Sequence, residues 1–303
     1  MPITLPPVSR RRFLASAAAT AGAFALGNWS IAGALASESD HLVLLSDTHI
    51  SSDRKHDPRQ QGAMWDHFVR VRSQVLRLES RPRAILINGD CAFSKGLAAD
   101  YAALLEALEP IRQAGLPVHL GLGNHDSRAN IQEVLPADAN VSANDLDHRV
   151  MRLPMPRADW YMLDSLDQTN HTPGRLGADQ LRWLTRSLDS NPKQPAILMM
   201  HHQPDFNAPE MSNGLRDTPA LMDIITNRKQ VKAVLFGHTH VWKHYERAGI
   251  HFINLPTTAY VFRPEQPIGW VDAHVTPGKL RLTLHALDPK HVDNLQALDL
   301  PWR

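Results

Sequence analysis

The sequence predicts an α/β fold, and three observations predict it. Five short apolar runs recur along the chain: Leu42–Leu45, Ala84–Ile87, Val118–Leu122, Ala196–Met200 and Val231–Phe236. Stretches with apolar residues three or four apart lie between them. Each run ends in a group of polar residues drawn from Asp, Asn, His and Ser. Runs of this length, rich in aliphatic and β-branched residues, read as buried strands. The 3.6-residue period of the intervening segments reads as amphipathic helix. Strands alternating with helices build layered α/β architectures.

The first 36 residues stand apart. Ser9-Arg10-Arg11-Arg12-Phe13-Leu14 is followed by an Ala-rich apolar stretch, Phe13 to Leu26, and then by Ala34-Leu35-Ala36 before Ser37. The stretch is shorter than the roughly 20 residues that span a bilayer as a helix, and A-x-A is a cleavage pattern. The order of these parts resembles a bacterial twin-arginine export signal, with an uncleaved anchor as the alternative. The resemblance implies transient engagement of the twin-arginine export machinery, a periplasmic or secreted protein, and no stable membrane insertion once the signal is removed. That route carries proteins already folded. A single cysteine, Cys91, rules out an internal disulfide, which suits folding in a reducing cytosol.

Beyond the signal, helical spacing joins Trp65, Phe68, Val71, Val75 and Leu78, then Tyr101, Leu104, Leu108 and Ile111, and later Leu181, Leu184 and Leu188. After residue 241 the pattern changes. Val241–Tyr245, His251–Asn254, Trp270–Val275 and Leu280–Leu284 read as strands with tight connections, such as Pro277-Gly278. They suggest an antiparallel portion of a second sheet. Residues 136–147 and 204–217 read as loops, and 286–303 as a peripheral tail. No linker divides 37–303, which is expected to be one domain with a core over about 41–285.

Composition narrows the function classes. The chain has 303 residues, 43% hydrophobic and 21% charged, values of an ordinary globular protein rather than a disordered or collagenous one. The formal charge of +1 becomes −2 once Arg10, Arg11 and Arg12 are set aside, leaving 29 basic against 31 acidic residues. No broad positive field is present to attract a nucleic-acid backbone. All 17 histidines lie after residue 40, and several sit where the apolar runs end.

Those ends carry the chemistry. Leu45 leads to Ser46-Asp47-Thr48-His49, Ile87 to Asn88-Gly89-Asp90, Leu122 to Gly123-Asn124-His125-Asp126, Met200 to His201-His202, and Phe236 to Gly237-His238-Thr239-His240. Ligand sites of open α/β sheets lie just past the carboxyl ends of strands, so five segments deliver polar side chains to one edge. In extended backbone, residues i and i+2 point the same way, so Asp47 with His49 and His238 with His240 are each expected to aim at one place. Carboxylate, amide oxygen and imidazole without thiolate suit Mn, Fe, Zn or Co rather than a Cys-rich structural zinc site. His41, His56, His67, His119, His148, His171, His244, His251, His274, His285 and His291 read as ordinary surface or core imidazoles. Cys91 reads as a small buried filler.

This order of motifs, over about residues 41 to 275, resembles the calcineurin-like metallophosphoesterase superfamily. Gly89-Asp90, Gly96, Tyr101, Gly123-Asn124-His125-Asp126, Arg128, and Gly177-Ala178-Asp179-Gln180-Leu181 with Trp183-Leu184 are similar to the class III cyclic-nucleotide phosphodiesterase and glycerophosphodiesterase branch. The resemblance implies a four-layer α/β/β/α sandwich holding two divalent metal ions. It implies Asp47, His49 and His240 as ligands of the first ion, Asp90 as the bridging carboxylate, and Asn124, His201 and His238 as ligands of the second. It implies His125 as the acid facing the leaving group. His201 is preferred over His202 because it directly follows the strand. Asp126 either orients His125 or stabilises the turn. Two departures bear on the branch. His201-His202-Gln203-Pro204 stands where relatives often have His-His-Pro-Pro, and Phe93 stands where purple acid phosphatases carry a ligating Tyr. Asp126 also differs from the Gly-Asn-His-Glu of protein Ser/Thr phosphatases.

The activity so implied is hydrolysis of a small phosphodiester by a metal-bridging hydroxide. A phosphomonoesterase or nucleotidase is the alternative enzyme. A metal- or phosphate-binding protein without turnover is the alternative class. The expected partner is a small phosphoester.

Overall fold

The computed structural model of the chain describes residues 3–8, 39–137, 139, 148–207, 211 and 213–303. Arg10-Arg11-Arg12, the stretch Phe13 to Leu26 and Ala34-Leu35-Ala36 lie outside the described residues, as does most of the expected loop 136–147.

Two sheets face each other. The first has seven strands in the order β1 (Ile3–Leu5), β4 (Val118–Leu120), β3 (Ala84–Ile87), β2 (Asp40–Leu45), β11 (Gly269–Thr276), β12 (Lys279–Ala286) and β13 (Ala297–Pro301). Strands β2, β3 and β4 are parallel. Strand β11 runs antiparallel to β2, and β12 and β13 continue antiparallel. The second sheet has six strands in the order β5 (Met151–Leu153), β6 (Asp159–Met162), β7 (Ala196–Met199), β8 (Val231–Phe236), β10 (Ile250–Asn254) and β9 (Lys243–Arg247). Its centre, β6-β7-β8-β10, is parallel, and β5 and β9 are antiparallel edges.

Why the apolar runs lack alternation is visible in β2. Leu42 and Leu44 face the second sheet, among Trp160, Met162, Ile197, Met199 and Leu235. Val43 and Leu45 face the other way, among Phe68, Val71, Val75, Leu104, Leu108 and Ile111 of helices α1 (Met64–Val75) and α2 (Ala98–Gln113). The far side of the second sheet is covered by α4 (Gly177–Asp189) and α5 (Thr218–Thr226), whose Leu184, Leu188, Leu221 and Ile225 pack on Leu198, Val234, Phe236 and Phe252. Fully burying an aliphatic side chain of this size contributes about 1.5–3 kcal/mol. The layers are therefore α/β/β/α, as the motif order implied. A short helix, α3 (Arg128–Val134), follows the loop after β4; Ser127 caps it by accepting from Asn130 N.

Four details differ from the sequence reading. The strands after residue 241 divide between the sheets: β9 and β10 extend the second, whereas β11, β12 and β13 complete the first. The alternation of Val271, Ala273 and Val275 with Asp272 and His274 marks a strand with one apolar face but names no neighbour. Residues 286–303 are not peripheral, because β13 pairs with β12 and buries Leu300. Strands β5 and β6 were not expected; Pro154, Pro156 and Asp159 interrupt the apolar signal there. Finally, Ile3–Leu5, inside the expected signal, pairs with β4 and buries Ile3 and Leu5 completely. Among the described residues, no helix is long and apolar enough to cross a membrane.

Candidate metal centre

The carboxyl ends of β2, β3, β4, β7 and β8 meet at one place, and main-chain hydrogen bonds stitch their loops together. Asp47 N donates to Gly89 O, His49 N to Asp90 O, Asn88 N to Leu45 O, Gly121 N to Ile87 O, Gly237 N to His201 O, and Thr258 N to Ser46 O. Asn88 Nδ2 donates across to Met200 O. Each loop is thus held by a neighbouring loop rather than by solvent.

Two groups of side chains result. Asp47, His49 and His240 form one; Asp90, His201 and His238 form the other. His240 Nε2 lies 3.3 Å from Asp47 Oδ1 and 3.2 Å from His49 Nε2. His201 Nε2 lies 3.2 Å from Asp90 Oδ2. The two groups are contiguous: Asp90 Oδ2 is 3.6 Å from His49 Nε2, and Asp47 Oδ1 is 3.9 Å from His201 Nε2. Asp90 thereby touches imidazoles of both groups.

The backbone bends sharply to achieve this. Asp47, His49, Asp90, His238 and His240 all have positive φ, between 41° and 70°. The pairs Asp47/His49 and His238/His240 therefore converge through left-handed turns, not through the extended alternation the spacing suggested. Non-glycine residues held in that region cost on the order of 1–3 kcal/mol each and collect at functional sites. The glycines serve close approach: a Cβ on Gly123 would overlap Asp90 Oδ1, and one on Gly237 would overlap Ser46 Oγ and Asp47 Oδ2.

Hydrogen bonds to the far nitrogen aim the rings. His201 Nδ1 donates to Asn88 O at 2.8 Å and His240 Nδ1 to Tyr260 O at 2.6 Å, so both turn Nε2 inward. His238 Nε2 donates to Asn213 O at 3.0 Å, which leaves Nδ1 as its inward atom. This arrangement fixes the tautomer of metal-binding imidazoles. Tyr260 O and Asn213 O were not legible in the sequence, because a carbonyl oxygen carries no residue signature.

The electrostatics are those of a cation site. Asp47 and Asp90 are buried. Burial alone would raise their carboxyls, but His240 and His201 beside Asp47 hold it at about 2, and His201 and His49 hold Asp90 well below the usual carboxylate range. Burial pushes His49 down to about 3 and His238 to about 4. His201 goes the other way: burial opposes its charge, yet Asp90 and Asp47 raise it to about 9. Asn124 Oδ1 is buried without a hydrogen-bond partner, and His201 Nε2 faces the Asp90 carboxylate at 3.2 Å. Asn124 lies between Gly123 and His125, and His125 N donates to Asp90 Oδ1 at 2.8 Å. Oxygen and imidazole donors with no thiolate, an unpartnered oxygen among them, fit divalent ions.

The other singled-out residues separate by contact. His125 is partly exposed; its Nδ1 donates to Ser94 O at 2.6 Å, and its ring stands 5.3 Å from that of His49. Asp126 is fully buried, and its carboxylate accepts from the main-chain N–H groups of Cys91, Ala92 and Gly123 and from Tyr101 Oη. Of the two readings of Asp126, the geometry supports turn stabilisation, since Ser94 O orients His125. Burial and the Asp90 charge raise the Asp126 carboxyl to about 6. His202 is buried beside the second group, its Nδ1 on Ser165 Oγ at 2.8 Å. Phe93 meets His56 edge to face, ring centroids 4.5 Å apart. The rim also holds Tyr260 and half-exposed Phe262, whose ring stacks on His240, with Arg59 4.8 Å above it. The sequence reading did not single out this aromatic edge.

The sequence profile of the calcineurin-like phosphoesterase family matches residues 41–242. The chain belongs to that family. This metallophosphoesterase is 31% identical to a cAMP/cGMP dual specificity phosphodiesterase of Mycobacterium tuberculosis, over 73% of this chain and 68% of that protein. It is 26% identical to a 3′,5′-cyclic adenosine monophosphate phosphodiesterase of Vibrio vulnificus, over 83% of this chain and 88% of that protein. Its fold is similar to that of a dimetal phosphatase from Danio rerio, with a TM-score of 0.66 at 15% identity, over 87% of this chain and 99% of the other. It is also similar to a purple acid phosphatase from yellow lupin, with a TM-score of 0.64 at 14% identity, over 87% and 54%. The metallophosphoesterase is a hydrolase, and its side-chain groups are consistent with binding divalent metals.

Proposed function

We propose that the metallophosphoesterase is an exported phosphodiesterase that uses two divalent ions to hydrolyse small phosphodiesters of the cyclic-nucleotide or glycerophosphodiester type. One observation carries the reading: two carboxylate–imidazole groups stand side by side, with Asp90 reaching both and His125 at the open side. Asp47, His49 and His240 would hold one ion, Asn124, His201 and His238 the other, and Asp90 both. Bound there, the ions would acidify a water and offset the charge that builds on the phosphoryl oxygens. His125 has Nδ1 committed to Ser94 O, so Nε2 is its free nitrogen and is placed to protonate the departing ester oxygen. Asp126 and Tyr101 hold the backbone of that turn, which keeps His125 and Asp90 in register. The names of the Mycobacterium and Vibrio relatives favour a cyclic nucleotide. Export favours esters met outside the cytosol, and it rests on Arg10-Arg11-Arg12 and the stretch that follows.

A phosphoester panel tests this reading: a cyclic nucleotide, a glycerophosphodiester, and bis- and mono-p-nitrophenyl phosphate, each with Mn, Zn, Fe and Co added separately. Diesters are expected to turn over faster than the monoester. The reverse order would make the protein a monoesterase, and binding without turnover under every metal would remove the enzymatic reading.

A further inference from the structure

A third side-chain group lies far from the centre, at the opposite end of β2. His41 faces His274 across the β2–β11 ladder, and Asp272 lies two residues from His274 on the same face of β11. His41 Nε2 is 2.6 Å from Asp272 Oδ1, and His274 Nε2 is 3.5 Å from the same oxygen. The two rings stack at 4.2 Å, 15° from parallel, so both Nε2 atoms face one way. The far nitrogens are also engaged: Ser80 Oγ is 3.1 Å from His41 Nδ1, and Ser39 Oγ is 3.2 Å from His274 Nδ1. The group is set into the molecule. His41 is buried, the Asp272 side chain is 16% exposed and that of His274 31%.

The sequence reading placed both histidines among ordinary imidazoles, and strand pairing is what brings them together. Two imidazoles and a carboxylate present one ligand atom each, all within 4.8 Å of one another. A neutral imidazole in its Nε2–H form donates to Asp272, closely from His41 at 2.6 Å and only at 3.5 Å from His274. In the other tautomer both Nε2 atoms carry lone pairs, and a metal ion then engages both rings and the carboxylate at once. Zinc–nitrogen and zinc–carboxylate bonds of about 2.0–2.2 Å span such a gap after small side-chain rotations. Hydroxyl partners on the outer ring nitrogens are the support that orients metal-bound imidazoles.

We infer that His41, Asp272 and His274 form a separate site for a divalent transition-metal ion, zinc above all, with water completing its coordination. The donor set excludes the hard ions: magnesium and calcium take oxygen ligands, whereas two imidazoles favour zinc, copper or nickel. His41 lies six residues before Asp47, on the order of 20 Å along extended strand, so the ion is not part of the catalytic pair. It would clamp the seam where the parallel half of the first sheet, ending at β2, meets the antiparallel half, starting at β11.

The test counts metal. Wild type, His274→Ala and Asp272→Asn are dialysed against one micromolar free-zinc buffer and analysed for zinc per chain. Turnover of bis-p-nitrophenyl phosphate and far-ultraviolet circular dichroism are measured on the same samples. Wild type is expected to hold one zinc more than each variant, with turnover and secondary structure alike in all three. Equal zinc in folded wild type and variants would overturn the site. His274→Gln, which keeps a polar side chain at this partly exposed position, repeats the comparison should His274→Ala lose secondary structure.

Discussion

At the level of single residues, the two kinds of contact at Asp90 and His125 predict different failures. Asp90 lies against His49 and His201 and accepts from His125 N. Asp90→Ala is expected to lose both bound metal and turnover, measured as metal per chain and as phosphodiester rate. The His125 ring makes no ion pair with a carboxylate among the described residues and is aimed by Ser94 O. His125→Ala is therefore expected to keep its metal and lose roughly 10²–10⁴-fold in turnover, the usual contribution of a positioned general acid; a metal-loaded variant as fast as wild type would remove that role. These residues were legible because each follows an apolar run, and strand ends in α/β sheets are where ligands gather. What aims them was not. Ser94 O, Asn88 O and Tyr260 O act through carbonyls that any residue supplies. The left-handed φ of Asp47, His49, Asp90, His238 and His240 reflects loop-to-loop hydrogen bonds that no local pattern records.

At the level of elements, the five apolar runs and three helices were legible because burial on two faces or on one stripe leaves a periodic trace. Partners were not, since register between strands more than 100 residues apart has no local signature. Strand β1 is the sharpest case. Ile3, Thr4 and Leu5 pair with Leu120, His119 and Val118, yet they read as the preamble of an export segment. The pairing predicts a titration. Thr4 Oγ1 lies 2.9 Å from His119 Nδ1, and burial pushes His119 down from 6.5 to about 4. A histidine with a depressed folded pKa contributes stability above its unfolded value, and the contribution is lost as pH falls through the folded one. The shift corresponds to at most about 3 kcal/mol, lost between pH 6.5 and 4. Urea unfolding at pH 7 and pH 4.5 should show this acid-side loss in wild type and a smaller one in His119→Gln. Equal losses would mean that β1 does not keep His119 from solvent.

Across the whole molecule, the two sheets and their helices hold Asp47 and Asp90 in the interior, where a carboxylate needs a paired cation. Without metal, the chain's own answer is the proton on His201, which those two carboxylates raise to about 9. A ligating imidazole must be neutral, so metal entry has to expel that proton. At pH 7 metal binding is therefore expected to release a proton, seen as a binding heat that varies with the ionisation enthalpy of the buffer. The release should vanish as pH rises past about 9, where His201 is already neutral. The same logic sets the response to chelation. An ion held at 100 times its dissociation constant stabilises the native state by about 2.7 kcal/mol. In a chain of this size, each kcal/mol moves the thermal midpoint by about 2–4 °C, so removing one ion should lower it by roughly 5–10 °C. Asp90→Asn, with one of the two buried carboxylate charges removed, should start lower and respond less to the chelator. A wild-type midpoint indifferent to chelation, with no proton released on adding metal, would mean that the buried carboxylates are balanced by protons alone and that the centre is not a metal site.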